Sequence, residues 1–425
     1  MIRLTGAAEA VACVRSGAHV FLHGGAATPS LLLDALTARA AELADVSIVH
    51  MHCEGPAPHL QPSMVGHFRH RALFIGANAR QAINDGRAEY IPIFLSDIPQ
   101  LFTRGALPVD VALINVSQPD AHGFCSLGVS VDVARAAVRA AKIVVAQING
   151  AMPRTHGHGF IHVDDIDFGV AADVVPYVCK HDAGGDVERR IAERVAELVP
   201  DGATLQMGIG AIPAAVCGAL GGKRDLGVHT EMFSDGVVDL VERGIITGAA
   251  KERDRGKIVA AFVCGSERLY RFVDDNPLIE MRGADYTNDP GVIRQFRRMV
   301  AINSAIEIDL TGQVCADSIG ERLYSGVGGQ VDFIRGAALA EEGRAIIALP
   351  ATALGGARSR IVATLAPGAG VVTTRAHVQT VVTEYGIAEL HGRGIAERAR
   401  ALIAIAAPQF RDELAEHARR VHFLG

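Results

Sequence analysis

A single glutamate near the middle of the chain, Glu231, occupies a suitable position for a nucleophile. It follows a short apolar approach and precedes the turn Ser234-Asp235-Gly236. A glutamate with an ordinary pKa of about 4.3 is ionised at neutral pH, so it can attack an activated acyl group without the neighbouring base that serine or cysteine requires. The alternative is a solvated loop residue or a helix cap, which is where most charged side chains lie. The glycine-rich and acidic segments elsewhere in the chain decide between the two.

A glycine-rich segment in the C-terminal half is the second candidate. Gly326, Gly328 and Gly329 fall within four consecutive positions. Glycines leave backbone N–H groups bare, so they can approach a ligand closely or form an anion-binding concavity. An ordinary glycine-rich turn is the alternative for this segment. Further along, a second carboxylate, Glu384, ends an apolar stretch that is typical of a strand.

Composition excludes several classes of protein. The 425 residues carry a net charge of −6, which gives no basic footprint for nucleic acid. No apolar run reaches the roughly 18 to 20 residues of a membrane span, and no secretory signal is recognisable, so a cytoplasmic location is predicted. The seven cysteines are widely spaced without a Cys-x-x-Cys pair and are predicted to be reduced core residues. The 17 histidines include no His-Glu-x-x-His pattern, and no metal is predicted.

Two stretches, 16–31 and 201–216, resemble each other and indicate an internal repeat. Gly17 and Gly25 of the first correspond to Gly202 and Gly210 of the second at the same spacing. Each predicts a strand, a glycine-rich turn and a helix with proline in its first turn. Fully apolar runs, typical of parallel strands covered on both faces, alternate with amphipathic helical patterns. The runs are 46–50, 109–115, 143–147, 258–264, 345–349 and 378–383, and the helical patterns include 188–198 and 293–299.

The sequence therefore predicts an α/β fold of two similar open domains with mainly parallel sheets and an active-site cleft between them. The polar, glycine-containing segment 182–186 separates residues 1–185 from residues 186–425. Ligands of such sheets bind beyond the carboxyl ends of the strands. The turn with Gly208, Gly210 and Pro213 lies at such an end. Proline at its third small position argues against a dinucleotide fingerprint.

Four motifs occur in order along the chain: the Gly-x-Gly-x-x-Pro turn, His-Thr-Glu-Met around Glu231, Gly-Val-Gly-Gly-Gln-Val-Asp-Phe from Gly326, and Thr-Glu-Tyr-Gly around Glu384. Together they resemble the acetyl-CoA hydrolase/transferase family of class I CoA-transferases over nearly the whole chain. Within that family the chain most resembles 4-hydroxybutyrate and butyrate:acetate CoA-transferases. The resemblance implies ping-pong transfer of CoA from a short-chain acyl-CoA to a carboxylate through a glutamyl-CoA thioester.

The resemblance also implies roles for residues, with Glu231 as the nucleophile and most of the CoA site in the C-terminal domain. Oxyanion stabilisation falls to backbone N–H groups of Gly328 or Gly329, and polar neighbours of the nucleophile are Glu384 and Asn288. Coenzyme A is a substrate, no cofactor is tightly bound, and a homo-oligomer is expected. The residues implied to bind CoA are Gly208, Gly210, Pro213, Gly326, Gly328, Gly329 and Asp332.

Two other functions stay open at this point. An acyl-CoA hydrolase would use the same Glu231 and let water attack the intermediate. A sugar-phosphate isomerase-like or ligand-sensing protein could share an open α/β fold without a covalent intermediate, because a fold does not fix an activity. Acetate dependence of acyl-CoA loss and trapping of a glutamyl adduct distinguish the three.

Overall fold

The computed structural model describes residues 3–179, 184–208 and 210–424. The chain divides into two compact units: residues 1–180 with 259–287, and residues 181–258 with 288–425. The expected division after residue 185 is contiguous, whereas here the segment 259–287 belongs to the first unit. Part of the expected boundary, residues 182 and 183, lies outside the described residues.

The first unit is built on a sheet whose neighbouring strands pair in parallel. The central strand Val111–Ser117 is buried along its whole length, as expected for a sheet covered on both faces. The spatial order of the strands is Arg3–Leu4, Phe168–Ala172, Ile143–Asn149, Val111–Ser117, His19–Leu22, Val46–His50, Phe68–Ala72 and Glu89–Tyr90.

Helices and short strands complete the first unit. The helices are Ala7–Ala10, Ser30–Ala38, Arg80–Asn84, Ile98–Thr103, Ala134–Ala140, Glu267–Val273 and Ala284–Thr287. Short strands outside the main sheet include Phe124–Ser126 and Phe160–His162, which pair antiparallel. A 3-10 turn, Pro58–Leu60, lies between the strands Val46–His50 and Phe68–Ala72 in sequence.

The second unit has a sheet of the same kind. Its strands pair in parallel except the last pair, Thr380–Thr383 with Gly386–Glu389, which is an antiparallel hairpin. The spatial order within this unit is Gly227–His229, Thr204–Met207, Met299–Ser304, Arg344–Ala348, Thr380–Thr383 and Gly386–Glu389. The helices are Asp186–Glu197, Ala211–Ala219, Asp235–Glu242, Pro290–Ile293, Gln330–Leu339, Ile395–Ile405 and Arg411–Arg420.

The internal repeat is visible in the two sheets. His19–Leu22 lies between Val46–His50 and Val111–Ser117, and Thr204–Met207 lies between Gly227–His229 and Met299–Ser304. Each of these strands is followed by a glycine with positive φ, 56° at Gly25 and 109° at Gly210, and then by a helix. The prediction of two similar α/β halves with mainly parallel sheets is confirmed.

Two predicted elements differ from the structure. The amphipathic pattern 293–299 is not a helix, because a short helix ends at Ile293 and Met299 begins a strand. The β-branched, apolar run after Met299 is buried in the sheet, so sheet packing prevails over the helical spacing. The predicted strand 258–264 is two short strands, Ile258–Ala260 and Phe262–Val263, broken where the Ala261 carbonyl accepts the N–H groups of Val131 and Asp132.

One prediction about the cysteines is wrong. Cys179 and Cys264, whose Cα atoms are 5.5 Å apart, form a disulfide within the first unit. The other five cysteines are free thiols, and all but Cys13 are buried. The two paired residues are 85 positions apart in sequence, so spacing alone could not reveal the pair. Among the described residues, no helix is both long enough and apolar enough to span a lipid bilayer.

Candidate active site

Glu231 lies in a bend between two short strands of the second unit, Gly227–His229 and Met232–Phe233. Its side chain is half-buried, while His229 and Thr230 on its N-terminal side are buried. The His229 ring packs 4.6 Å from the ring of Phe296, centroid to centroid. The residues that lead to Glu231 are therefore packed in the core, and Glu231 lies in the bend that follows the strand.

Behind this strand lies a buried lysine. Lys251 is 1% exposed, and its ammonium donates to the carbonyls of Val228 at 2.9 Å and Lys257 at 2.8 Å. A Cβ on Gly227 would meet the Lys251 side chain at 2.5 Å, so the lysine stem requires glycine at the start of the strand. Gly227 and Lys251 thus fix the backbone that leads to Glu231.

Thr230 joins the Glu231 bend to the end of the neighbouring strand. Its hydroxyl lies 3.2 Å from the carbonyl of Met207 and 2.9 Å from that of Met232. Met207 is the last residue of the strand that runs into the Gly208 turn. Sequence reasoning assigned no role to Thr230. Its role depends on burial and on contacts with two separate strands, which a single sequence does not show.

Two of the predicted neighbours contact the Glu231 carboxylate. The Asn288 amide Nδ2 donates to Glu231 Oε2 at 3.2 Å, and Asn288 is fully buried. Gly329 is so close that a Cβ built on it would overlap both Glu231 Oε2 and Asn288 Nδ2. The structure therefore brings together Glu231, Asn288 and Gly329, which are far apart in sequence.

Gly329 is also the N-cap of the helix Gln330–Leu339. The N-terminus of a helix carries a partial positive charge and unsatisfied N–H groups, which favour an anion. Gln330 fixes this end, because its amide donates to the carbonyl of Ser304 at 2.6 Å and accepts from the Thr373 hydroxyl at 2.9 Å. The site thus places an ionisable carboxylate, an amide donor and a helix N-terminus in one group.

The remaining residues of this glycine-rich segment shape the turn before the helix. Gly328 has φ of +57°, a left-handed conformation that favours glycine. Gly326 and Gly328 are buried, and Asp332 in the first helical turn is 4% exposed. Such a compact turn leaves little side-chain volume around the helix N-terminus.

The Gly208 turn forms a second helix N-terminus. Gly210, with φ of +109°, is the N-cap of the helix Ala211–Ala219, and Pro213 lies buried in its first turn. Gly208 directly follows Met207, the residue held by Thr230. Burial raises the pKa of the Cys217 thiol on this helix to about 12. Cys217 is therefore protonated at neutral pH and is not a competing nucleophile.

Glu384 is held by other groups. Its side-chain Oε2 accepts a hydrogen bond from the N–H of Ala351 at 2.8 Å. Its backbone carbonyl accepts one from the Arg194 guanidinium at 3.4 Å, and the residue is 4% exposed. Ala351 lies just beyond the strand Arg344–Ala348. These contacts connect Glu384 to the carboxyl end of the sheet.

Potential metal ligands cluster elsewhere. Two groups of three occur among the described residues: His50 with His59 and His70, and Glu54 with Cys179 and Cys264, all in the first unit. The two cysteines of the second group form the disulfide, so their sulfurs are not available as thiolates. The chemistry that the Glu231 group can perform is accordingly that of a carboxylate beside fixed dipoles, which suits acyl transfer.

Comparison with known proteins gives the family. Residues 2–182 match the acetyl-CoA hydrolase/transferase N-terminal domain, and residues 265–418 match the C-terminal domain. A succinyl-CoA:acetate/propanoyl-CoA:succinate CoA transferase of Fasciola hepatica is 51% identical, over 96% of this chain and 85% of that one. A 4-hydroxybutyrate coenzyme A transferase of Clostridium kluyveri is 48% identical, over 97% and 96%.

A solved structure agrees with these relatives. The crystal structure of RipA from Yersinia pestis superposes with a TM-score of 0.95 at 36% identity, over 99% of this chain and 98% of that one. Sequence identity near one half over nearly the full length extends the relationship beyond the fold. The chain therefore belongs to the acetyl-CoA hydrolase/transferase family, and it is an enzyme of the CoA-transferase class.

Proposed function

We propose that the enzyme moves CoA between a short-chain acyl-CoA and a carboxylate of the acetate, butyrate or 4-hydroxybutyrate type, with Glu231 as the nucleophile. The observation that carries the proposal is the position of the Glu231 carboxylate, bonded to the Asn288 amide at 3.2 Å and placed against Gly329 at a helix N-terminus. The substrate class is supported by the names of two relatives, which refer to succinyl, propanoyl, acetate and 4-hydroxybutyrate groups.

The proposed reaction has two symmetrical halves. The Glu231 carboxylate attacks the thioester carbonyl, forming an acyl-glutamyl anhydride and releasing CoA thiolate. The thiolate attacks the glutamyl carbonyl, which forms a glutamyl-CoA thioester and releases the first carboxylate. An incoming carboxylate then attacks the glutamyl carbonyl and expels thiolate, which attacks the new acyl carbonyl and restores the Glu231 carboxylate. Every intermediate is a thioester or an anhydride, and both are activated acyl groups, so no ATP is required.

Each addition passes through a tetrahedral oxyanion, and fixed donors in the site stabilise it. We assign this role to backbone N–H groups of Gly328 or Gly329. The Asn288 amide, fixed by burial, orients the attacking carboxylate. Glu384 is proposed as a polar neighbour that acts on the acceptor side. We propose that CoA binds along two turns, one with Gly208, Gly210 and Pro213 and the other with Gly326, Gly328, Gly329 and Asp332.

Replacement of Glu231 tests the nucleophile. Glu231→Gln keeps the shape of the side chain but removes the charge, and it should lower transfer at least about 10³-fold. Borohydride reduction of the wild-type enzyme pretreated with acyl-CoA, followed by peptide mass analysis, should place the modification at residue 231. Glu242→Gln, an exposed glutamate on the helix Asp235–Glu242, is the matched control and should behave as wild type. Full activity in Glu231→Gln would remove Glu231 from the mechanism.

The acceptor distinguishes a transferase from a hydrolase of the same family. Water at roughly 55 M competes with millimolar carboxylate unless the site excludes it. Loss of butyryl-CoA should depend on added acetate and should yield acetyl-CoA in equal amount. Loss that does not depend on acetate would make the enzyme a hydrolase. A panel of acetate, propionate, butyrate and 4-hydroxybutyrate then orders the acceptors.

A further inference from the structure

Three buried histidines form a cluster in the first unit, remote in sequence from every residue assigned to the reaction. His50 ends the strand Val46–His50, and His70 lies in the adjacent strand Phe68–Ala72. The parallel register pairs Ile48 with His70, so His50 and His70 belong to alternate positions that share one face of the sheet. His59, in the 3-10 turn Pro58–Leu60, reaches the same face.

The ring nitrogens converge at ligand-like distances. His50 Nε2 lies 3.2 Å from His70 Nδ1 and 3.1 Å from His70 Nε2, and His59 Nε2 lies 2.9 Å from His70 Nδ1. One nitrogen from each of the three rings falls within 4.8 Å of the others. Tetrahedral zinc with Zn–N bonds of about 2.0 to 2.1 Å places its nitrogens about 3.3 Å apart. The His50–His70 and His59–His70 separations differ from that distance by a few tenths of an ångström.

Hydrogen bonding among the rings leaves two buried ring nitrogens unsatisfied. A neutral imidazole has one donor and one acceptor, each in the ring plane. His70 can bond His59 Nε2 through its Nδ1 and His50 Nε2 through its Nε2, so both of its ring nitrogens are used. Among the described residues, Nδ1 of His50 and Nδ1 of His59 are buried without a hydrogen-bond partner. The cluster thus holds three buried imidazoles, two of them incompletely bonded, whose nitrogens lie close enough together to share one ion.

The three rings are shielded from solvent. His50, His59 and His70 are 1%, 2% and 1% exposed. A set of three imidazoles suits zinc, copper or nickel, with the fourth position left for water.

We propose that His50, His59 and His70 bind a divalent transition-metal ion, of which Zn²⁺ is the representative, as a structural site. The ion would link two adjacent strands to the turn between them and close the segment 51–69. This role is independent of the reaction at Glu231, which belongs to the other unit. The buried position implies that the ion is acquired during folding.

Metal content tests the site directly. The full-length enzyme should be purified without chelator, and a second portion should be unfolded with EDTA and refolded with Zn²⁺ or with no metal. Elemental analysis should find about one zinc per chain in the first portion and in the zinc-refolded one. Refolding with Co²⁺ should give the visible absorption of a tetrahedral cobalt site. The zinc form should melt about 5 °C above the metal-free form.

Matched variants locate the ion. His59→Gln changes the ligand on the turn and leaves both strands intact, so it should lose the metal and the cobalt spectrum while circular dichroism stays native. His67→Gln is the control, because His67 is bonded to the carbonyl of Leu43 and lies outside the cluster; it should retain both. Wild-type protein that refolds with Zn²⁺ yet contains no zinc overturns the proposal. So does a His59→Gln variant that keeps a full equivalent.

Discussion

Replacing Gly329 by alanine tests the arrangement of the Glu231 site more sharply than removing the carboxylate. Gly329 has φ of −97°, which alanine adopts without strain, so the backbone tolerates the change. The added Cβ would lie well inside the 3.4 Å at which ordinary van der Waals contact with Glu231 Oε2 and Asn288 Nδ2 begins. Both polar groups must move to accept it.

The size of the effect follows from that movement. Restoring normal contact requires the carboxylate to retreat by about 1 Å, and a misplacement of that size can cost about 10² in rate. The bond from Asn288 to Glu231 Oε2, 3.2 Å long, must lengthen or rearrange at the same time. We expect kcat for transfer from butyryl-CoA to acetate to fall about 100-fold at saturating concentrations of both substrates.

Gly394→Ala is the matched control. Gly394 is likewise the N-cap of a helix, Ile395–Ile405, with φ of −68°, and its added Cβ would meet only Glu397 Oε2 at 3.8 Å. Alanine is a poorer N-cap than glycine, so Gly394→Ala should lose about 0.5 to 1 kcal/mol of unfolding free energy in urea titrations. Gly329→Ala should lose that amount and, in addition, the cost of the overlap. The steric argument fails if Gly329→Ala keeps kcat within twofold of wild type, or if Gly394→Ala loses activity equally.

Three further predictions follow from single contacts. Asn288→Ala removes one hydrogen bond to a charged oxygen, which is worth about 1.5 to 3 kcal/mol. We therefore expect kcat/KM to fall about 10- to 100-fold while the circular dichroism spectrum stays native. Unchanged kinetics would contradict the positioning role. Thr230→Val deprives the carbonyls of Met207 and Met232 of a donor and should lower the urea unfolding free energy by about 1 to 3 kcal/mol, whereas Thr230→Ser should retain most of it. Because burial raises the pKa of Cys217 to about 12, iodoacetamide at pH 8 should label this thiol only after denaturation. Peptide mass analysis measures the labelling. Rapid labelling of the native protein would mean that the thiol is accessible.

Much of the fold was predictable because its signals are local. The strand Val46–His50 was predicted with its bounds, and the run 143–147 is most of the strand Ile143–Asn149. Fully apolar runs of this length have few alternatives to a buried parallel strand. The pattern 293–299 failed for the opposite reason. Its apolar residues satisfy a helical spacing and a buried connection equally well, and only the neighbouring strands decide between them.

The candidate site was predictable in composition and not in arrangement. Glu231 and Gly329 were identified by residue type and by resemblance, yet their contact depends on where the helix Gln330–Leu339 begins, which is a matter of tertiary packing. Thr230 was missed because a hydroxyl that joins two strands has no signature in a single sequence. The pairing of Cys179 with Cys264 was missed for the same reason.

The histidine cluster illustrates the limit of spacing most clearly. Sequence motifs for metal sites depend on ligands close together on one helix or turn, as in His-Glu-x-x-His. Here strand register brings His50 and His70 together, and a turn brings His59 to them. The cluster therefore does not require its ligands to be close together in the sequence. The sequence prediction of no metal followed from the absence of a motif, whereas the proposal of a metal follows from converging ring nitrogens. Elemental analysis of the enzyme decides which inference holds, because the first expects no bound zinc and the second expects one ion per chain.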